Sequence, residues 1–549
     1  MRVLLTLVSS SKSIYSDVFG FRIPPLSVAY LAAIAEREGY DVKFVDSLAL
    51  NLKADELVDV AITYDPDIVG FVMNSSTSHN ASLEVARTLK RAINPLIISG
   101  GHHATFTYPL ILNSGVVDLV VLGEGEETFR DILRRTKEGE APFNIKGIAF
   151  REHGIIKTTG MRKFIENLDE LPIPKYEIYQ KELYGIDILE SNAPVAPVET
   201  SRGCPYRCDF CSVTKMWGAR WRLKSVDRVI EEIRRIFQLG FKWLFFVDDN
   251  FIVPTKTGII TKLNLLNKLR ELYGREMKGI VQLRADLIVK NPWLINELKE
   301  AGIRISFLGI ESGDPETLKR MRKGNNTDIG IRAVQLLSKA GIIVYAGFVL
   351  GAPYEDIKSI KRTIKYAYGL IKYGLDVAHF SIYTPLPGTD AFESAVRDGT
   401  LISSDFDLYD CLTPIIKGRV SPFKLFITQR FASYSYFIRK TLWSLRSRVV
   451  HTTFEKNKIK EQLIKNAVKY FARNIHKHAL GFVMIPIEGI KITIRLKKGE
   501  VERRVLEDCV RAYKSVTEIG ELELLQHFQK QQNLFEPIKI SELSPSQVE

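Results

Sequence analysis

The stretch Glu199-Thr200-Ser201-Arg202-Gly203-Cys204-Pro205-Tyr206-Arg207-Cys208-Asp209-Phe210-Cys211 sets three thiols in a C-x3-C-x2-C arrangement. The 549-residue chain has five cysteines in all, so three of them within so short a span are a metal-type cluster rather than a disulfide framework. Soft thiolates this close together suit iron-sulfur or zinc. A structural zinc site normally takes four ligands as two separated pairs, and no second pair stands near this loop. Three thiolates on a four-iron cluster leave one iron without a protein ligand, a position that an exogenous chelating molecule can fill.

Outward from the loop, strand and helix patterns alternate through residues 194–392. Strands are expected near 198–200, 243–247, 279–283, 303–308, 343–349 and 377–382. Six βα units predict a partial TIM-like (β/α)6 barrel, whose reactive groups sit at the carboxyl ends of its strands. Upstream, residues 1–140 predict a doubly wound α/β domain with strands near 3–7, 42–45, 68–73, 96–99 and 119–122. Residues 141–193 read as a linker with a hairpin near 146–159 and the Pro-containing stretch Leu171-Pro172-Ile173-Pro174. Residues 393–549 read as mostly helical and basic.

Ligands on a doubly wound sheet bind just past the strands, and there the first domain is small and polar. Ser9 follows the first strand, and Asn74, Ser75, Ser76 and Thr77 the third. Gly100, Gly101, His102 and His103 follow the fourth, and Gly123, Glu124, Gly125 and Glu126 the fifth. Glycines let a backbone approach a bulky ligand, and hydroxyls offer it hydrogen bonds. Ordinary βα turns with helix caps give the same composition.

The cysteine motif, with aromatic Phe210 before its last thiol and its place after the first barrel strand, resembles the radical S-adenosylmethionine (SAM) superfamily. The resemblance covers roughly residues 195–390. It implies a 4Fe-4S cluster on Cys204, Cys208 and Cys211, whose open iron binds the amino and carboxylate groups of SAM. It also implies reductive cleavage to a 5'-deoxyadenosyl radical and an external ferredoxin- or flavodoxin-like electron donor. Residues at successive strand ends fit the same resemblance as SAM contacts: Phe210 itself, Asp248, Asp249 and Asn250, Arg284, Glu311 and Ser312, and Gly351 in Gly347-Phe348-Val349-Leu350-Gly351-Ala352-Pro353. An α/β domain ahead of such a barrel is similar to the cobalamin-binding class of this superfamily. That likeness implies cobalamin contacts from Ser9, Ser75, Ser76, Thr77, Gly100, Gly101, His102, Gly123, Glu124, Gly125 and Glu126. No Asp-x-His-x-x-Gly segment occurs, so no lower axial histidine is assigned; His79, His102 and His103 remain candidate contacts, with a hydrogen-bonded turn histidine as the alternative role of each. Methylthiotransferases, a branch with three further cysteines in its N-terminal domain, are excluded because the first 203 residues contain none. Cys411 and Cys509 read as small buried hydrophobes.

The chain carries 77 Lys+Arg against 64 Asp+Glu, and residues 417–504 alone hold 21 against 5, so the basic character is local to that stretch. Within it Phe423, Phe426, Ile427, Phe431, Tyr434, Phe437, Ile438, Leu442 and Leu445 recur at helical steps, a basic aromatic-rich amphipathic helix. Such a helix can lie in a membrane interface or pack on its own domain. No recognised nucleic-acid motif accompanies it. The N-terminus lacks the pattern of a secretory signal and no long apolar run occurs, so a cytoplasmic protein is expected, with peripheral contact at the inner face of the membrane as an option. The resemblance extends to enzymes that modify hopanoid or archaeal tetraether lipids and to anaerobic tetrapyrrole cyclases. The expected function is therefore C–H activation on a hydrophobic substrate, a small molecule or membrane lipid, followed by methylation or by ring or carbon–carbon bond formation. A non-catalytic cobalamin- or lipid-binding protein is the alternative from another class.

Overall fold

An unbroken apolar run such as Ile68–Val72 is what a strand covered on both faces requires, and all five residues are buried. In the computed structural model, which describes residues 1–8, 21–186, 190–450, 465–466, 469, 475–498 and 501–531, this strand is central in a seven-stranded sheet. The order is Asp41–Asp46, Arg2–Leu7, Ile68–Val72, Leu96–Gly100, Leu119–Val121, Ile148–Glu152, Ile155–Thr158. The first five strands run parallel, and the hairpin expected from the sequence adds the last two as antiparallel neighbours. Strand order reverses between Arg2–Leu7 and Ile68–Val72, which puts a ligand-binding crevice at their carboxyl ends. Leu4, Val69 and Ile97 face the helices Ala54–Tyr64, His79–Ala92 and His102–Asn113. Val3, Leu5 and Ile98 face Leu26–Arg37 and Glu126–Lys137, in a core continuous with that of the second sheet.

The second sheet has eight strands: Val377–Ile382, Ile343–Leu350, Ile303–Glu311, Gly279–Arg284, Trp243–Phe246, Glu190–Val198, Gly185–Ile186 and Phe21–Arg22. The first six are parallel and the last two antiparallel. It curls enough for Phe21 on one edge to meet Phe307 across the interior, ring centroids 5.8 Å apart. The first parallel strand is Glu190–Val198, not 198–200 as expected. Pro194 and Pro197 argue against a strand in sequence, yet here they serve as acceptors: Lys242 N–H donates to Pro194 O and the Tyr176 hydroxyl to Pro197 O.

Beyond the half-barrel, helix Pro422–Val450 packs on Val377–Ile382, and helix Ile475–Lys498 packs on it in turn. Helix Arg503–Gln531 crosses back onto the first domain, where Tyr108 Oη donates to Ala512 O at 3.2 Å. Cys509 is fully buried there, as expected of a small hydrophobe. Among the described residues no helix is long and apolar enough to cross a membrane.

Candidate functional site

The cluster loop leaves the end of Glu190–Val198 and is pinned by a short antiparallel pair, Ser201–Arg202 with Arg222–Leu223. Gly203 has φ +93°, and a Cβ there would lie 2.1 Å from Arg220 O, so only glycine lets the chain turn into Cys204. Cys204, Cys208 and Cys211 are free and half-buried. Burial raises the Cys204 thiol to about 11 and Cys211 to about 12, and each feels the charge of the neighbouring thiols. The Arg284, Arg322 and Lys323 cations sense Cys208. These cations would offset part of the negative charge once a metal had displaced the thiol protons. Among the described residues no three His, Cys, Asp or Glu side chains converge as ligands of one ion would. A cluster, in which each thiolate takes a different iron, fits this donor set. Phe210 packs with Met321, Val349, Ala352 and Tyr383 beneath the loop.

The residues expected at the SAM side differ in how far the fold already uses them. Asp248 is buried, accepting from the Thr200 hydroxyl at 2.7 Å and from Ser201, and pairing with Lys262 Nζ at 3.2 Å. Its carboxylate is therefore structural. Asp249 accepts from Gly203 N–H at 3.1 Å, and burial raises it to about 7. Asn250 is 2% exposed, and neither its amide nitrogen nor its oxygen has a partner. A buried orphan amide is costly, and one beside a cofactor loop is what a ligand would satisfy. Arg284 lies over the Tyr206 ring at 3.7 Å and pairs with Asp286, so it braces the cluster loop. Glu311 pairs with Lys323 at 2.8 Å and adopts φ +68° at its strand end, a strained backbone of the kind functional sites retain. The Ser312 hydroxyl meets Thr363 at 2.8 Å. Gly351 has φ +85°, gives its N–H to Glu355, and could not carry a Cβ, which would sit 2.2 Å from Leu425.

On the first domain, Ser75, Ser76, Thr77 and His102 line a cavity of about 310 Å3. Its other walls are Asn74, His103, Ser212 just past the cluster loop, Leu386 and Pro387, and the segment Tyr409, Asp410, Cys411 and Leu412. His103 accepts or donates at both ring nitrogens, to Ser76 Oγ at 3.0 Å and to His79 Nδ1 at 2.9 Å. Burial lowers His79 and His102 to about 4, so both are neutral at pH 7. Ser9 lies outside the described residues.

Several expected cobalamin contacts serve the protein itself. A Cβ at Gly101 would meet Asn74 Oδ1 at 2.4 Å and Met73 O at 2.9 Å, so the space it leaves is filled by the chain. Gly100 faces Val121, Gly123 faces Met161, and Gly125 faces Val121. Glu124 and Glu126 hold Arg202 at 2.9 and 2.6 Å, and Glu124 also holds Arg222 at 2.9 Å. This buried lattice ties the first domain to the residue two before Cys204. Burial would raise Glu126, but the Arg202 guanidinium outweighs it and keeps the carboxyl below its ordinary value. Sequence reading missed Arg202 and Arg222, whose carboxylate partners on the first domain lie 76 to 98 residues away. It also misread Cys411, which is half-buried on the cavity wall at φ +59°.

The B12 binding domain family matches residues 12–133 and the radical SAM superfamily matches residues 198–367. An uncharacterized methyltransferase of Pyrococcus horikoshii is 33% identical over 421 residues, spanning 76% of this chain and 88% of that protein. The anaerobic magnesium-protoporphyrin IX monomethyl ester cyclase of Rubrivivax gelatinosus is 28% identical, over 82% of this chain and 79% of its own. The hopanoid C-3 methylase of Methylococcus capsulatus is 28% identical over 75% and 76%. Among solved structures, the cobalamin-dependent S-adenosylmethionine radical enzyme OxsB with aqua-cobalamin bound superposes with TM-score 0.64 at 18% identity, covering 97% of this chain and 81% of that one, which shows a shared fold. The chain belongs to the radical SAM superfamily, in the branch with an N-terminal B12-binding domain, and its cofactors are a 4Fe-4S cluster, SAM and cobalamin.

Proposed function

We propose that the protein activates a C–H bond of an apolar, lipid-like substrate held in the half-barrel and methylates it. When bound, the cluster and SAM supply the one-electron chemistry that removes hydrogen from unactivated carbon, and cobalamin supplies a methyl carrier.

The residues divide this work among themselves. Cys204, Cys208 and Cys211 hold the cluster, and Gly203 with Asp249 fixes the entry to their loop. The Asn250 amide, lacking any partner in the protein, binds SAM. Ser75, Ser76, Thr77 and His102 face cobalamin across the cavity. Neutral, hydrogen-bonded His103 and His79 keep the Ser76 turn in place beneath them.

One observation carries the apolar substrate. Rings line the half-barrel interior in a chain, Phe21 to Phe245 at 6.0 Å, Phe245 to Phe307 at 5.8 Å, Phe307 to Tyr345 at 4.4 Å and Tyr345 to His379 at 6.2 Å. Burial lowers His379 to about 4, which leaves it uncharged. A neutral aromatic wall of this kind favours hydrocarbon or a flat macrocycle over a charged metabolite. The test is anaerobic turnover of membrane lipid extract with SAM carrying a deuterated methyl group, followed by mass spectrometry. Labelled methyl in a lipid product supports the reading; label confined to water-soluble products overturns it.

A further inference from the structure

We propose that helices Pro422–Val450 and Ile475–Lys498 form a platform that seats the enzyme on an anionic membrane surface. This goes beyond the reaction class, since it concerns where the enzyme works, and it rests on different residues.

Eight of the thirteen exposed large hydrophobic residues among those described lie on these two helices. On the first, Leu425, Gln429, Ala432 and Tyr436 face inward, Gln429 Nε2 donating to Phe380 O and Tyr436 Oη to Leu375 O. Ile438 and Leu442, four residues apart, fall on the opposite side and are exposed, as is Trp443. On the second, Ile485 and Leu496 are buried, while Ile487, Ile490 and Ile494 recur at helical spacing and are exposed. The helices touch at Gly489, where a Cβ would lie 3.0 Å from the Phe423 ring. Each thus packs through one face and leaves a second apolar face uncovered by the described protein.

Charge selects the occupant. The stretch that contains these faces, residues 417–504, holds 21 Lys/Arg against 5 Asp/Glu, while the rest of the chain is close to neutral. Lys424 and Lys491 are exposed on the two helices, and Lys417 and Arg419 are exposed just before the first. Apolar side chains in so basic a stretch match the acyl boundary and headgroups of an anionic leaflet, whereas a second copy would set like charge against like. With no helix apolar enough to cross a membrane among those described, the contact lies in the plane of the surface. The platform also leads inward: Phe437, next to exposed Ile438, packs against the same buried cluster as Phe21, Phe245 and Phe307.

The test uses the full chain, anaerobically reconstituted, in flotation with phosphatidylglycerol–phosphatidylcholine vesicles and with phosphatidylcholine alone. At about 0.1 M salt at least tenfold more protein should float with the anionic vesicles, and this should be lost at about 1 M, where screening shortens from about 10 Å to about 3 Å. Leu442→Asp/Ile490→Asp should lower flotation about tenfold while SAM cleavage is unchanged. Absence of flotation at low salt, or equal flotation of the double variant, overturns the proposal. So does a dimer in solution that the double variant converts to monomer without altering flotation. Loss of SAM cleavage by the wild type would instead count against the reaction class and leave the flotation result standing.

Discussion

At the residue scale, Asn250 and Glu355 make opposite predictions about stability. Asn250 has no hydrogen bond to lose, so Asn250→Ala should shift the unfolding free energy of the cofactor-free protein by less than about 1 kcal/mol. SAM affinity measured by calorimetry should nevertheless fall about tenfold; unchanged affinity would remove Asn250 from the SAM site. Glu355 is buried, and its Oε2 accepts from Gly351 N–H at 2.8 Å and Ala352 N–H at 3.0 Å, clamping the turn after Ile343–Leu350. Burial raises its carboxyl from 4.5 to about 7, the two backbone donors opposing. Between those values the folded chain holds a proton that the unfolded chain has released. This contribution is therefore full below about pH 4.5 and fades as pH rises to about 7, by on the order of 3 kcal/mol. Glu355→Gln, which can accept the same two N–H groups, should remove that slope and be the more stable protein at pH 8. Urea midpoints from pH 5 to pH 8 decide it, and parallel slopes in the two proteins would refute the assignment. The Glu355 clamp is not legible in the sequence, and Asn250 stood there only as one of three neighbouring candidates for SAM. Asn250 follows two aspartates that look equally suited to a ligand, and only the folded network reveals that Asp248 is already committed to Lys262 and Thr200.

At the element scale, the turn Gly123-Glu124-Gly125-Glu126 is a clasp between two sheets, closed by Arg202 and Arg222 in the pair that frames the cluster loop. Removing one partner strands a buried charge, so Arg202→Met and Glu126→Gln should each destabilise by about 3–5 kcal/mol. The double variant should cost less than the two together, leaving a coupling of roughly 1–3 kcal/mol in a chemical-denaturation cycle. Strict additivity would mean that the clasp does not act as a unit. Most elements were legible because their apolar runs and turn residues agree, as in Ile68–Val72 and Ile343–Leu350. Glu190–Val198 was misplaced because its two prolines mimic a linker, and their acceptor role depends on Lys242 and Tyr176, which sequence does not place beside them. The ion pairs of the Glu-containing turn were hidden for the same reason: the cations that neutralise it arrive from the other domain.

At the scale of the whole molecule, the clasp and the shared core hold the two strand-end faces across one cavity, walled by Ser75, Ser76, Thr77 and His102 on one side and by Ser212 on the other. The Cys411 segment closes it from the C-terminal region, whose contribution no motif announced. On the function proposed above, Cys204, Cys208 and Cys211 hold the cluster at which SAM is cleaved. The most direct measurement is anaerobic reconstitution with iron and sulfide, followed by metal analysis and an assay for reductive SAM cleavage, on the wild type and five single cysteine variants. The wild type, Cys411→Ala and Cys509→Ala should each bind about four irons and cleave SAM, while Cys204→Ala, Cys208→Ala and Cys211→Ala should lose both. A wild type that carries its cluster yet leaves SAM intact under strong reductant, or a Cys208→Ala variant that cleaves it as fast as the wild type, would contradict the account.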